Sequence, residues 1–203
     1  FGLMKYRHAA ALTVTLALVC APLGLLRAVA ADAATTPPVP LPRLEVQPYM
    51  GTWYQVAWYP NWFQRKCASD TQATYRLLPE GRVEVLNRCR TAEGATDGVL
   101  GVARPVGKLE GGALMPAQLE VSFLPTWLRW LPIGWGSYWV VHLADDGRYA
   151  IVSEGSREYL WVLARSPLWS AEDQAEVRQV MQRLGFDLAK LQAHPQKAAL
   201  PAS

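Results

Sequence analysis

The sequence predicts an all-β fold, an eight-stranded antiparallel up-and-down β-barrel with one C-terminal α-helix packed outside it. Two patterns support this prediction. Eight short segments of strand-forming, often alternating residues are separated by turns, and one amphipathic helical segment follows the last of them. Short strands of even spacing followed by a single helix are typical of such barrels. With 51% hydrophobic and 18% charged residues, the chain can supply the core of one globular domain.

The first strand is predicted at about residues 52–59, where aromatic and β-branched residues lie between Gly51 and Pro60. Residues 61–66 form the loop that follows. The second and third strands form a hairpin through the turn Pro79-Glu80-Gly81. Their alternating positions are Ala73, Tyr75 and Leu77 in one strand and Val83, Val85 and Asn87 in the other.

The remaining strands are predicted near residues 98–105, 118–124, 138–143, 149–153 and 159–165, with a hairpin signal at Asp145-Asp146-Gly147. The helix begins at Ser170, an N-cap residue with Asp173 at the capping-box position, and Gly185 follows as C-cap. We expect its apolar stripe to pack on the outside of the barrel. The stripe consists of Val177, Val180, Met181 and Leu184.

The segments outside the barrel differ in composition. Residues 1–30 place basic residues before an apolar run and end in small-residue cleavage patterns, which indicates a secretory signal peptide. An uncleaved anchor is the alternative, but the run is short for a span of about 20 residues. Residues 31–43 are rich in Ala, Thr and Pro and predict a linker. The barrel and helix then span 44–191, and residues 192–203 are expected to fray.

The formal net charge of +3 comes from the predicted signal peptide. Lys5, Arg7 and Arg27 lie there without any acid, and removing these three from the 20 basic residues leaves 17 against 17 acidic ones. A neutral surface gives no electrostatic reason to expect nucleic acid as a partner.

Three motifs resemble those of the lipocalins, in particular the bacterial branch of that family. They are Gly51-Thr52-Trp53-Tyr54, the turn at Asp145-Asp146-Gly147-Arg148-Tyr149, and the stretch from Tyr159 to Arg165. The resemblance covers about residues 44–191. It implies that Arg165 stacks on Trp53 at the closed end of the barrel, and that the ligand is a fatty acid, a lysophospholipid or a similar amphiphile. It also implies a periplasmic protein associated with the outer membrane of a Gram-negative bacterium.

Many proteins of the bacterial branch are lipoproteins whose acylated cysteine follows a small residue. Cys20 follows Val19 here and departs from that pattern. The other two cysteines, Cys67 and Cys89, form an even pair that export would allow to join as a disulfide.

The hairpin register constrains that disulfide. If Leu77 lies opposite Val83, Cys89 faces Thr71, so we expect the second strand to end before Cys67 and residues 67–70 to curl over the rim. The alternative is a thiol enzyme, because a mammalian lipocalin isomerase uses a free cysteine inside its barrel.

An eight-stranded barrel leaves an interior that can hold one small ligand. If Trp53 faces inward, strand alternation predicts a mostly apolar lining with a few polar groups, which suits a hydrocarbon chain with a polar head. Side chains that fill a solid core are the alternative. The candidate ligand-binding residues are Gln55, Ala57, Tyr59, Tyr75, Asn87, Phe123, Tyr138 and Trp161.

The loop before the sixth strand is rich in tryptophan and leucine, and hairpin topology places it at the open end beside the loop after the first strand. An apolar rim of this kind marks a membrane or protein contact. A lid that hides its own aromatic rings is the alternative. The candidate contact residues are Trp62, Phe63, Trp127, Leu128, Trp130, Leu131, Ile133 and Trp135.

No catalytic, metal-binding or cofactor motif is recognised in the sequence. His142 is the only histidine in the predicted strands, and no glycine-rich phosphate loop, nucleophile elbow or Cys-x-x-Cys occurs. We therefore expect a non-enzymatic carrier of a small amphiphilic lipid, without cofactor, that touches a membrane surface. The alternatives are a barrel for a rigid cyclic ligand or pigment, and an interaction module that grips a partner protein by the tryptophan loop.

Overall fold

A computed structural model describes residues 36–200 of the chain. Eight antiparallel strands close into a barrel, because the last of them pairs with the first. The barrel strands are β2 (Gly51–Trp58), β3 (Cys67–Leu77), β4 (Val83–Thr91), β5 (Thr96–Pro105), β8 (Gln118–Ser122), β9 (Gly136–Leu143), β10 (Tyr149–Ser153) and β11 (Leu160–Ala164). The predicted fold class is confirmed. The predicted signal peptide lies outside the described residues.

Short elements outside the barrel wall complete one end. Strands β1 (Leu44–Glu45), β6 (Lys108–Glu110) and β7 (Ala113–Met115) form a small sheet, and the four-residue helix α1 (Val46–Tyr49) leads into β2. Leu44 and Leu114 are buried in the same apolar cluster as Trp53. The linker also contributes, since the amide of Leu41 donates to Val140 O. These elements close the barrel and define its floor.

The closed end contains the contact that the family resemblance implied. The guanidinium Cζ of Arg165 lies 3.7 Å from the ring centroid of Trp53, whose side chain is 1% exposed. The same guanidinium donates to the carbonyl oxygens of Thr52 (3.0 Å) and Pro48 (2.6 Å). The indole N–H of Trp53 donates to Tyr49 O at 2.9 Å. Arg165 therefore joins the start of β2 to the segment that follows β11.

The helix α2 (Ala171–Arg183) packs on the outside of the barrel as predicted. Its N-terminus carries the capping box, in which Ser170 Oγ accepts from the amide of Asp173 at 3.0 Å. The buried residues Val177, Val180 and Met181 share an apolar cluster with outward-facing residues of β2, β10 and β11. In the part of the chain that is described, no helix is long and apolar enough to span a bilayer.

A β-bulge in β2 reverses the side on which its last residues lie. Leu163 of β11 pairs with Gln55, but the preceding Val162 pairs with Ala57, so Val56 is an extra residue without a partner. Ala57 and Tyr59 consequently pack in the outer cluster against α2, and the hydroxyl of Tyr59 donates to Asp187 O at 2.7 Å. The prediction that these two residues face the interior is wrong, because it assumed unbroken alternation.

The disulfide between Cys67 and Cys89 is present, with the two Cα atoms 5.4 Å apart. The register from Leu77 opposite Val83 to Gln72 opposite Arg88 is the predicted one, but β3 continues to Cys67, which pairs with Thr91. Two register shifts near Ser69 and Asp70 make this possible, and Asp70 within this irregular stretch has a positive φ of 57°. The expectation that β3 ends before Cys67 is therefore wrong.

The C-terminal segment differs from the expected frayed tail. Strand β12 (Gln192–Ala193) pairs with β2 at Ala57 and Trp58, where β3 has diverged from β2. The amide of His194 donates to Val56 O, and the amide of Asp70 donates to Pro195 O. Residues 192–195 thus bridge β2 and β3 and close a gap in the barrel wall. These backbone bonds hold the segment in place, so it does not fray as expected.

Candidate ligand-binding cavity

The barrel encloses a cavity of about 960 Å³ that reaches from the floor to the loops at the open end. Most of its wall is apolar and comes from alternating residues of neighbouring strands, namely Ala73, Val83, Val85, Leu119, Val121 and Leu163. The alternative of a solid barrel is wrong. This volume lies in the range of pockets that hold small ligands.

Six of the eight predicted ligand-binding residues line the cavity. They are Gln55, Tyr75, Asn87, Phe123, Tyr138 and Trp161. The other two, Ala57 and Tyr59, lie outside the bulge in β2 as described above. Alternation along β3, β4, β8, β9 and β11 thus identified cavity positions, and its failure is confined to one end of one strand.

Three tyrosine hydroxyls meet at the floor. The hydroxyl oxygen of Tyr138 lies 2.8 Å from that of Tyr49 and 3.0 Å from that of Tyr75. Burial raises the pKa of Tyr75 to about 12 and raises the pKa values of Tyr49 and Tyr138 well above 10, so all three stay protonated at neutral pH. Three hydroxyl hydrogens serve two mutual contacts, which leaves one donor for a ligand.

A second polar group lies nearer the open end. The side chain of Gln64, from the loop after β2, accepts from the indole N–H of Trp161 at 2.8 Å and from Asn61 Nδ2 at 2.8 Å. Its own Nε2 donates to Gln55 Oε1 at 2.9 Å. Sequence patterns identified Gln55 and Trp161 but missed Gln64 and Asn61, because a loop carries no alternation that would show which side chains point inward.

The two polar levels are separated along the barrel. Tyr75 pairs with Gly51, which precedes Gln55 on β2 by four residues, a strand length of about 13 Å. Ala73, which pairs with Trp53 between these two positions, lines the wall there. A ligand that fills this space meets an apolar middle and hydrogen-bonding groups at two depths.

The described part of the chain offers no free cysteine thiol to the cavity. Cys67 and Cys89, which both line the cavity, are joined to each other. The thiol-enzyme alternative requires a free cysteine inside the barrel, so this structure does not provide its nucleophile. In residues 36–200, no three His, Cys, Asp or Glu side chains come together in a group that could hold a metal ion.

The tryptophan-rich loop between β8 and β9 splits into two parts. Trp127, Trp130 and Ile133 are 72%, 77% and 70% exposed, so the loop does not hide them as a lid would. Trp135 instead lines the cavity, with the Cζ of Arg104 4.0 Å from its ring centroid and its indole N–H donating to Arg129 O. Leu128 and Leu131 are half-buried.

The loop after β2 stands at the same end. Trp62 is 68% exposed, whereas the ring of Phe63 packs at 5.3 Å from that of Tyr159 and at 6.3 Å from that of Trp161. Phe63 thus narrows the cavity entrance, and Trp62 projects from it.

A closed eight-stranded barrel with an apolar, partly polar interior and an outer helix defines the class of small ligand-binding β-barrels. The comparisons with known proteins are more specific. Residues 44–196 match the model of the lipocalin-like domain. The chain belongs to the lipocalin family, whose members bind small hydrophobic ligands and are mostly binding proteins rather than enzymes.

Relatives occur in plants and bacteria. Temperature-induced lipocalin-1 of Arabidopsis thaliana is 35% identical over 167 residues, which cover 79% of this chain and 83% of the relative. The outer membrane lipoprotein Blc of Escherichia coli strain K12 is 32% identical over 166 residues, covering 80% of this chain and 86% of Blc. The structure of insecticyanin from Manduca sexta has the same fold, with a TM-score of 0.62 at 15% identity, covering 80% of this chain and 85% of insecticyanin.

Proposed function

We propose that this protein is exported and carries a single-chain amphiphile, such as a fatty acid or a lysophospholipid, in its barrel, and that the exposed tryptophans at the open end contact a membrane. The observation that carries the proposal is the cavity of about 960 Å³, whose apolar wall lies between two polar levels. An alkyl chain gains free energy by leaving water for such a wall, at about 25 cal/mol for each Å² of apolar surface buried.

The rim supports the membrane part of the proposal. Trp127 and Trp130 expose most of their rings, and tryptophan is enriched at the interface between a bilayer and water. Arg65 and Arg129 lie near the same end and donate through Nε to the backbone oxygens of Trp62 and Leu124. Neither forms an ion pair with another described residue, so both positive charges are available to anionic headgroups.

The comparisons support export. The bacterial relatives from Escherichia coli and Citrobacter freundii are named as outer membrane lipoproteins. A disulfide between Cys67 and Cys89 persists in oxidising compartments such as the periplasm. These observations support our proposal that the protein resides in the periplasm of a Gram-negative bacterium, at the outer membrane.

Native mass spectrometry of the protein isolated from the membranes of a Gram-negative host tests the ligand class. We expect mass increments that match fatty acids or lysophospholipids and that disappear after delipidation. The variant Val85→Trp places a large ring inside the cavity and should lose the increments, whereas Val106→Trp, at an exposed site away from the cavity, should keep them. Isolation with a rigid cyclic ligand, or failure of fatty acids to bind the delipidated protein, would contradict the proposal.

A further inference from the structure

The orientation of one cavity side chain follows from the hydrogen-bond network near the open end. The indole N–H of Trp161 is a donor only, so the atom of Gln64 that it meets at 2.8 Å is the carbonyl oxygen Oε1. The other end of the Gln64 amide is therefore the NH₂ group. It donates to Gln55, which must present its own oxygen Oε1 at 2.9 Å.

The amide nitrogen of Gln55 is left as a donor without an acceptor. Gln55 lines the cavity and is 3% exposed, and its Nε2 has no hydrogen-bond partner among residues 36–200. A flipped amide would bring two NH₂ groups together, so rotation does not remove the problem. Buried donors are almost always paired in folded proteins, which makes this nitrogen a feature that requires an explanation.

The two carboxylates that line the cavity are held by other residues and do not accept from Gln55. Of the two carboxylates that line the cavity, Asp97 accepts from Lys66 at 2.9 Å, and Glu154 accepts from Ser156 and from the amides of Glu158 and Tyr159. The tyrosines at the floor keep one hydroxyl hydrogen that their two mutual contacts do not use. Among these groups, Gln55 Nε2 is a buried donor that has no acceptor in the described part of the chain.

We infer that Gln55 determines ligand specificity, and that its Nε2 donates to an oxygen acceptor of the bound amphiphile, either the carboxylate of a free fatty acid or the ester carbonyl of a lysophospholipid. This inference rests on the proposed function and extends it. It selects acceptor-bearing amphiphiles over those whose head can only donate, and it places the recognised oxygen beside Gln55, inside the barrel.

Calorimetric titration of the delipidated protein with dodecanoate and dodecylammonium tests the inference, since these probes share a chain and differ in the polar group. The wild type should bind dodecanoate at least tenfold more tightly. In Gln55→Glu the oxygen that faces Gln64 is kept and the unused donor becomes an acceptor, so the preference should reverse. The uncharged variant Gln55→Met should bind the two probes within about threefold of each other.

Gln182→Glu is the matched control, because it adds the same charge on the exposed face of α2, outside the barrel. It should keep the preference of the wild type. Near-ultraviolet circular dichroism shows whether each variant is folded, and Gln55→Met carries the test if Gln55→Glu is not. If folded Gln55→Met still prefers dodecanoate over dodecylammonium as the wild type does, the inference about Gln55 is overturned, but the proposed function is not. Failure of both probes to bind the wild type would overturn the proposed function and the inference with it.

A third probe, 1-lauroyl-lysophosphatidylethanolamine, separates the two sources of the acceptor. If Gln55 binds a carboxylate, Gln55→Met should weaken the binding of dodecanoate at least tenfold and the binding of the lysophospholipid by less than threefold. If it reads an ester carbonyl, the larger loss should fall on the lysophospholipid. Equal affinity of the wild type and Gln55→Met for both probes would contradict a role for Gln55 in either case.

Discussion

His194 Nε2 lies 2.7 Å from Thr71 Oγ1, across the gap between the C-terminal segment and β3. Both side chains are buried, and the ring of His194 meets Trp58 edge-on at 5.6 Å. Beside them, the carboxylate of Asp70 accepts from the backbone amides of Lys197 and Ala198. This contact holds the segment against the barrel wall and places a titratable group inside it.

The pH dependence of stability should reveal this group. Burial lowers the pKa of His194 to about 4, although the charge of Asp70 acts in the opposite direction. Between pH 6.5 and 4 the unfolded chain binds a proton that the native state does not, so the free energy of unfolding falls as the pH falls through this window. We expect the wild type to lose about 2 kcal/mol more than His194→Gln between pH 7 and pH 4.5.

Urea unfolding of both proteins across this range measures the difference. Burial raises the pKa of Asp70, but hydrogen bonds from Ala198, Lys197, Ser69 and Arg90 together hold it below its ordinary value. The stability that ionised Asp70 contributes is therefore lost only below pH 4.5, outside the range in which the two proteins are compared. Parallel pH profiles for the wild type and His194→Gln would show that His194 is not held neutral in the native state.

Removing the closed-end contact should destabilise the fold. Trp53→Ala deletes a buried aromatic ring, which should cost about 3–5 kcal/mol. Arg165→Ala removes a cation–π contact worth about 1–2 kcal/mol and leaves the carbonyl oxygens of Pro48 and Thr52 without their donor. Arg165→Lys keeps the charge but not the planar donor group and should fall between the wild type and Arg165→Ala. Denaturant midpoints unchanged in both alanine variants would refute the contact.

The exposed tryptophans should control membrane binding. The double variant Trp127→Ser/Trp130→Ser should keep the thermal stability of the wild type and bind vesicles that contain phosphatidylglycerol at least tenfold more weakly. Trp135 is left in place because it packs against Arg104 and lines the cavity. Leu168→Ser, which changes an exposed apolar residue beside α2, is the control. Equal vesicle binding by the double variant and the wild type would remove the membrane contact from the proposal.

The disulfide should stabilise the rim of the barrel. It closes a loop with a sequence separation of 22 residues, for which the chain-entropy estimate is about 3 kcal/mol. The double variant Cys67→Ser/Cys89→Ser should therefore unfold at lower denaturant concentration, with a free energy of unfolding reduced by about 3 kcal/mol. Peptide mapping without reductant should recover the two cysteines in one cross-linked product. Two free thiols on protein from the periplasm would contradict the bond and reopen the thiol-enzyme alternative.

Local patterns were sufficient to predict the eight barrel strands and α2. The turn Pro79-Glu80-Gly81 determines that Leu77 faces Val83, and each neighbouring pair then follows in order as far as Gln72 and Arg88. Beyond that point the prediction failed because a bulge depends on both strands of a pair. Nothing in the residues around Val56 or Asp70 shows that the partner strand will leave one of them unpaired.

The C-terminal segment was missed for a different reason. Its bonds to the barrel are made largely by backbone groups, such as the amide of His194 to Val56 O and Pro195 O to the amide of Asp70. Every residue type except proline carries both groups, so residues 192–195 need no alternating pattern to pair. The position of Gln64 between Gln55 and Trp161 was also missed, since Gln64 comes from a loop.

Residues 192–195, which bridge β2 and β3, can dock on the barrel only after the rest of the barrel has been synthesised. A nascent chain that has released β2 through β11 holds all eight barrel strands, yet the segment that seals its wall, residues 192–195, follows α2 and emerges later. Until then the backbone groups of Val56 and Asp70 that bond to this segment lack those partners. If the barrel carries a ligand as proposed, its retention should depend on this segment having docked, and a product truncated after α2 should hold the ligand less tightly.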